Sequence, residues 1–290
     1  MKISRRDFLK TTALTSLYFA GFGTPTYASG PKKNLVIIML RGGMDGLCAI
    51  PIKGDKNFEK LRSKINLERT LKLTSDFDLH PALKTFKSLW DQNLSAAVHA
   101  TNIPYTGRSH FDGQNLMESG GKIPYQEKTG WLGRGMKTAG LTGQGLALAL
   151  PMPLLIRGVP MNNNYFPVGR SLPYPDTLKL IKQAYKEHDE KLLSDNLEII
   201  LNRDFNNRSS DDAWILASSA GTELSKPNGP KVAVFEVDGF DTHAAQGATD
   251  GAHADCLSDY DNIVRSLKSS MSVESFNNTL VLTLTEFGRT

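Results

Sequence analysis

The sequence predicts an α/β fold built on a mostly parallel central sheet, and three observations carry that expectation. Three runs are almost wholly apolar: Leu35-Val36-Ile37-Ile38-Met39-Leu40, Val232-Ala233-Val234-Phe235-Glu236-Val237 and Leu280-Val281-Leu282-Thr283-Leu284. Runs without polar alternation read as strands buried on both faces, the habit of parallel strands covered by helices. Each run passes at once into a glycine-bearing loop with a carboxylate: Asp45 after the first, Asp238 and Asp241 after the second, Glu286 after the third. Between the runs, apolar residues recur at spacings of three and four, as helices require. Ligands and metals in open α/β sheets bind beyond the carboxyl ends of the strands, so these three loops are the first place to look for chemistry.

The chain begins with an address. Ser4-Arg5-Arg6-Asp7-Phe8-Leu9-Lys10 matches a twin-arginine export motif, and a mildly apolar run from Ala13 to Phe22 follows. That run is broken by Gly21 and is too short for a spanning helix of about 20 apolar residues. Small residues at Ala28, Ser29 and Gly30 place a cleavage site nearby. The expectation is a signal peptide over 1–30 and one mature domain over 31–290. The twin-arginine (Tat) translocase would be a transient partner during export. The destination would be the periplasm or the medium, without a stable membrane anchor.

The formal charge of the chain is +4, and Lys2, Arg5, Arg6 and Lys10 against Asp7 account for three of those charges. A near-neutral mature domain has no global field to collect nucleic acid, and no Lys/Arg cluster is interleaved with aromatics. Nucleic-acid binding is therefore excluded. Cys48 and Cys256 are the only cysteines. An oxidising compartment permits a disulfide between them, and two separate buried thiols fit equally well. Neither has the spacing of a cysteine zinc site.

In order after the first strand, residues 53–78 read as a polar surface excursion. A helix is expected from His80-Pro81, with Leu83, Phe86 and Trp90 on one face and a stop at Asn93. Leu94–Ala100 reads as a second strand, which would close a right-handed βαβ unit. A loop through Pro104 and Gly107 then leads to Ser109, placed to cap a helix that ends at Gly120-Gly121. Trp131-Leu132-Gly133-Arg134 starts another helix. Short strands are expected at Leu146–Leu150 and Leu154–Ile156, and an amphipathic helix or helix pair from Asp176 to about Arg203. Trp214 and Leu216 sit on a further helix, and the stretch from His253 to Ser270 forms the last long one. The chain stops at Thr290, soon after its last strand, so a domain incomplete at its C-terminus is expected.

Asp241-Thr242-His243 is the most informative short motif. Residues i and i+2 of an extended loop point the same way, so both side chains can reach one cation. Carboxylate with imidazole suits zinc, manganese or iron; an all-carboxylate set leans to calcium or magnesium. Asp45 fits either a ligand or a turn aspartate that bonds its own backbone. Ser109 fits either a helix cap or a nucleophile. Arg108 and His110 beside it favour the second, since attack on an anionic ester wants a cation alongside. Glu286 is a strand-end acid with Arg289 as an available partner. His80, His99 and His188 read as structural.

Several longer motifs resemble one family of exported bacterial proteins. They are Leu-Arg-Gly-Gly-Met-Asp-Gly-Leu at 40–47, Leu-His-Pro-Ala-Leu at 79–83, Val-His-Ala at 98–100 and Arg-Ser-His-Phe-Asp-Gly-Gln at 108–114. Phe-Asp-Thr-His at 240–243 with Gln246, and Thr-Glu-Phe-Gly-Arg-Thr at 285–290, complete the pattern. This pattern is similar to that of the DUF1501 family of the alkaline phosphatase/sulfatase-like superfamily. The resemblance implies an α/β/α sandwich with a metal-assisted site at the carboxyl edge of its sheet. It implies Asp45, Asp241, His243 and Glu286 as metal ligands, and Ser109 as nucleophile with Arg108 and His110 assisting. The implied cofactor is a divalent metal: zinc, manganese, calcium or magnesium. Phe287 stands where relatives carry a histidine, and a later Gly-Thr-Asp-His-Gly segment is absent. The implied activity is hydrolysis of a small anionic phosphate or sulfate ester. The alternative is a non-catalytic envelope or anionic-glycan-binding protein that keeps the fold.

Overall fold

The computed structural model describes residues 32–148, 151–160, 162–164, 175–187, 191–201, 213–244 and 246–289, apart from 64 and 66. The export segment 1–30, residues 149 and 150 of the expected strand at 146–150, His188 and Thr290 lie outside the described residues. In chain order the elements begin with β1 (Asn34–Leu40), α1 (Gly46–Ala49), α2 (Lys56–Leu61), β2 (Leu71–Lys72), β3 (Asp78–Leu79), α3 (Lys84–Asp91) and α4 (His110–Ser119). They continue with α5 (Trp131–Thr138), β4 (Gly145–Leu148), β5 (Asn163–Asn164), α6 (Pro175–Glu187), α7 (Lys191–Leu201) and α8 (Ala213–Ser225). The last are β6 (Val232–Val237), α9 (Ala252–Ser270), α10 (Val273–Asn277) and β7 (Thr279–Thr285).

The fold is mixed α/β around a parallel sheet of order β5-β4-β6-β1-β7, with β2 and β3 forming a separate antiparallel pair. The three runs read as buried strands are adjacent, with β1 between β6 and β7 and parallel to both. Leu40 stands opposite Val237 on one side and Thr285 on the other. The three strands therefore end level, and their three loops leave the sheet side by side.

Alternation along β1 sorts its side chains into two layers. Val36, Ile38 and Leu40 pack with Ala217 and Ala220 of α8, Leu257 and Leu267 of α9, and Leu89 of α3. Ile37 and Met39 pack on the other face with Met117 of α4 and Leu132 and Met136 of α5. All five β1 side chains are at most 1% exposed. At roughly 1.5–3 kcal/mol for each large apolar side chain removed from water, β1 is the strand that anchors both helical layers. Among the described residues no helix is long and apolar enough to cross a membrane.

The expected second strand does not form. Residues 94–100 run as surface loop, with Leu94 55% and Val98 63% exposed. Both edges of β1 are taken by β6 and β7, so no edge of β1 is left for this run to pair with. Ser95-Ala96-Ala97 also offers little apolar area to bury. The next sheet strand in the chain is β4. Leu154–Ile156 forms a single 3₁₀ turn instead of a strand, and the Leu155 N–H donates to Glu118 Oε2 at 2.9 Å. The helix expected from His80 begins later, at Lys84, because Leu83 N first closes a turn on His80 O. Its start is fixed from outside: the Asp261 carboxylate of α9 accepts from the N–H groups of Thr85 and Phe86. Residues 53–78 are more ordered than a polar excursion, holding α2 and the β2–β3 pair.

Candidate metal centre at the strand ends

Two local features bring the loops together. Gly42 has φ +114°, and a Cβ there would lie 2.3 Å from the backbone nitrogen of Asp241. Only glycine lets the loop after β1 pass so close to the loop after β6. The second feature is α4. Ser109 caps it, with Oγ accepting from Asp112 N at 3.3 Å, and Gly120 ends it in the left-handed region at φ 65°. This cap sets His110 at the first position of the helix, over the strand ends.

His110, Asp241 and His243 converge there. His110 Nε2 lies 3.2 Å and His243 Nε2 2.7 Å from the same oxygen, Asp241 Oδ1. One ligand atom from each residue lies within 4.8 Å of the others. Arg289 Nη1 approaches that oxygen too, at 3.0 Å. Burial alone would raise the Asp241 pKa, but the Arg289 hydrogen bond and the charges of His110, His243 and Arg289 hold it below the usual carboxylate range.

Behind this group sits Glu286, which has no exposed surface. Its Oε1 accepts from Gly42 N at 2.8 Å, His110 Nδ1 at 2.9 Å and Gln114 Nε2 at 3.1 Å. Burial would push its pKa up; the hydrogen bonds from His110, Gln114 and backbone N–H groups outweigh it and keep the acid ionised. An ionised Glu286 accepts only, so His110 Nδ1 carries a proton, and Nε2 is the nitrogen that faces Asp241 Oδ1. That nitrogen and the carboxylate oxygen are 3.2 Å apart, a spacing that calls for a proton or a cation between them. The Phe287 ring packs on His110 with centroids 4.7 Å apart.

A second polar network supports Glu286. Arg41 donates to Gln114 Oε1 and Glu118 Oε1, both at 2.9 Å, and to Glu236 Oε1. It ties the end of β1 to β6 and α4. Burial raises the Glu236 pKa despite the guanidinium.

Asp45 has a different setting. It is 1% exposed, caps α1, and accepts from Arg62 Nη1 and from Gln246 Nε2 at 2.8 Å. Burial opposes its ionisation, but those bonds and the Arg62 charge depress its pKa. Asp45 therefore stands outside the His110–Asp241–His243 group, and Glu286 reaches that group only through His110. Arg108 is exposed, ahead of α4. Cys48 and Cys256 are free thiols in this structure, and burial with the nearby Asp45 charge pushes the Cys48 thiol up to about 12.

The residues that sequence reasoning missed are Arg62 and the role of Gln114. Gln114 lies one helical turn after His110, a spacing that puts both on one face. Arg62 carries no local signal.

No protein-family model, no curated protein and no solved structure matches this chain. The site's chemistry accordingly rests on its own groups. Two imidazoles and a carboxylate suit zinc, manganese or iron, and a histidine anchored through its other nitrogen by a carboxylate is the usual second layer of such sites. Those three residues can hold a divalent ion.

Proposed function

We propose that this chain is an exported, metal-dependent hydrolase of small phosphate or sulfate esters, of the DUF1501 and alkaline phosphatase-like type. The observation that carries the reading is the convergence of His110 Nε2 and His243 Nε2 on Asp241 Oδ1, with Glu286 holding the His110 ring from behind. That arrangement is built for a cation. When bound by His110, Asp241 and His243, a divalent ion would neutralise the non-bridging oxygens of the ester.

The chain's own groups do the rest. Glu286 fixes the His110 tautomer, and Gln114 and Gly42 hold Glu286 in place. Ser109, one residue before His110, supplies the attacking hydroxyl. As its Oγ bonds to phosphorus or sulfur, its hydroxyl proton passes to water, and the ester oxygen leaves with the electron pair of the broken bond and takes a proton from water. Water then releases the anion from the serine. The twin-arginine motif at residues 4–10 supports export as a folded, metal-loaded protein through the Tat translocase to the periplasm or medium.

The test is metal analysis together with aryl phosphate and aryl sulfate hydrolysis by the full chain, Ser109→Ala and Asp241→Ala. The reading expects metal and turnover in the full chain, metal without turnover in Ser109→Ala, and neither in Asp241→Ala. A second reading, an anion-binding protein without turnover, is favoured by one observation: Ser109 Oγ is engaged as a helix cap. Metal uptake by the full chain with no hydrolysis of either ester would select it.

A further inference from the structure

A cleft of about 330 Å³ opens beside the His110–Asp241–His243 group. His243, Arg62 and Arg289 line it, with the Ser63 hydroxyl; Leu61 and Ile65 supply an apolar wall. Among the described lining residues there is no carboxylate. Asp45 meets its lining through Arg62 and Gln246, and Asp241 through Arg289 and His243.

The two guanidiniums are not equally committed. Arg62 binds Asp45 with Nη1 and the Arg289 carbonyl with Nη2 at 2.9 Å. Arg289 spends Nη1 on Asp241 Oδ1, and among the described residues its Nε and second Nη have no acceptor. The oxygen that Arg289 holds is also the one to which His110 and His243 point. A cation held by those imidazoles must compete with Arg289 for Asp241 Oδ1. Once the cation neutralises Asp241, the guanidinium loses its anion, and the adjacent cleft is the space open to it.

We propose that Arg289 is a metal-gated anion clamp: in the metal-free protein it neutralises Asp241, and in the metal-loaded protein it turns its fork onto an oxyanion in this cleft. This rests on the metal-centre reading above and adds the coupling. The ligand is a tetrahedral oxyanion carrying an apolar group that meets Leu61 and Ile65. Because the coupling is a binding free energy, it is reciprocal: metal tightens anion binding and anion tightens metal binding by the same factor.

The experiment is calorimetric titration of the full chain, stripped with chelator and then loaded with zinc. The probes are inorganic phosphate and phenylphosphonate, a non-hydrolysable mimic of an aryl ester. Zinc should raise phosphate affinity about 10-fold or more, the scale of a charge-assisted hydrogen bond. Arg289→Gln should abolish that gain, while zinc affinity in anion-free buffer stays equal or rises, because a competitor for Asp241 has gone. Arg289→Lys, which keeps the charge without the fork, should recover part of the gain and serves if the glutamine variant folds poorly. Phenylphosphonate should bind more tightly than phosphate. Equal phosphate affinity with and without zinc, or an undiminished gain in Arg289→Gln, overturns the clamp while the metal centre stands. No zinc uptake by the wild-type chain overturns the metal reading and the gating together. Phenylphosphonate binding no more tightly than phosphate overturns the apolar-group assignment.

Discussion

Asp45 and Asp241 sit in equivalent loops, after adjacent parallel strands, and meet opposite fates. Asp45 is sealed, with a guanidinium, an amide and a backbone N–H on its two oxygens. Asp241 keeps 43% of its side chain exposed and shares one oxygen among two imidazoles and Arg289. Position at a strand end makes a carboxylate available; what faces it decides whether it stabilises or binds. A carboxylate matched by a fixed charge in a dry setting has nothing left to offer a ligand. One held among exposed imidazoles does.

That contrast can be broken most sharply by matched substitutions. Asp45→Asn leaves Arg62 buried without its counter-ion. It should cost about 3–5 kcal/mol in denaturant unfolding while zinc stoichiometry is retained. Asp241→Asn should do the reverse, with stability within about 1 kcal/mol of wild type and zinc uptake lost. Equal effects of the two on metal would dissolve the distinction.

Buried histidines sharpen it next. His253 is 1% exposed, neither ring nitrogen has a hydrogen-bond partner among the described residues, and burial lowers its pKa to about 4. Between pH 6.5 and 4 the unfolded chain binds a proton there that the folded chain does not. Stability is therefore lost as pH falls through that window, by about 3 kcal/mol from this group. His253→Leu should flatten the pH dependence of unfolding over the same range. A slope unchanged from wild type would mean that His253 finds a partner in solution.

Glu286→Gln comes after these. It preserves shape but no longer fixes the His110 tautomer. A 10- to 100-fold loss of zinc affinity is expected by competition with a chelating dye. Arg108→Ala is the smallest. Its exposed side chain should change neither zinc affinity nor stability beyond about 0.5 kcal/mol.

The fold was legible where apolar runs were unbroken, because a strand buried on both faces leaves no alternative period to read. Leu94–Ala100 misled because its composition fits a strand while both β1 edges, which the run would have to join, belong to segments far along the chain. The strand-end acids and the His110 helix start were legible for the same local reasons. Their partners were not. Glu286 meets His110 across 176 positions, Arg289 meets Asp241 across 48, and Arg62 meets Asp45 across 17. No periodicity carries such pairings. The resemblance implies Asp45 and Glu286 as ligands; in the structure Arg62 and Gln246 hold Asp45, His110 and Gln114 hold Glu286, and the described group of possible ligands is His110, Asp241 and His243.

The central claim is that His110, His243 and Asp241 together hold one divalent ion. X-ray absorption at the zinc edge of the zinc-loaded full chain reads those ligands directly. The account predicts two imidazole nitrogens at about 2.0–2.1 Å with the remaining ligands oxygen, falling to one imidazole in His243→Ala. A zinc environment with no imidazole, or one left unchanged in His243→Ala, would contradict it.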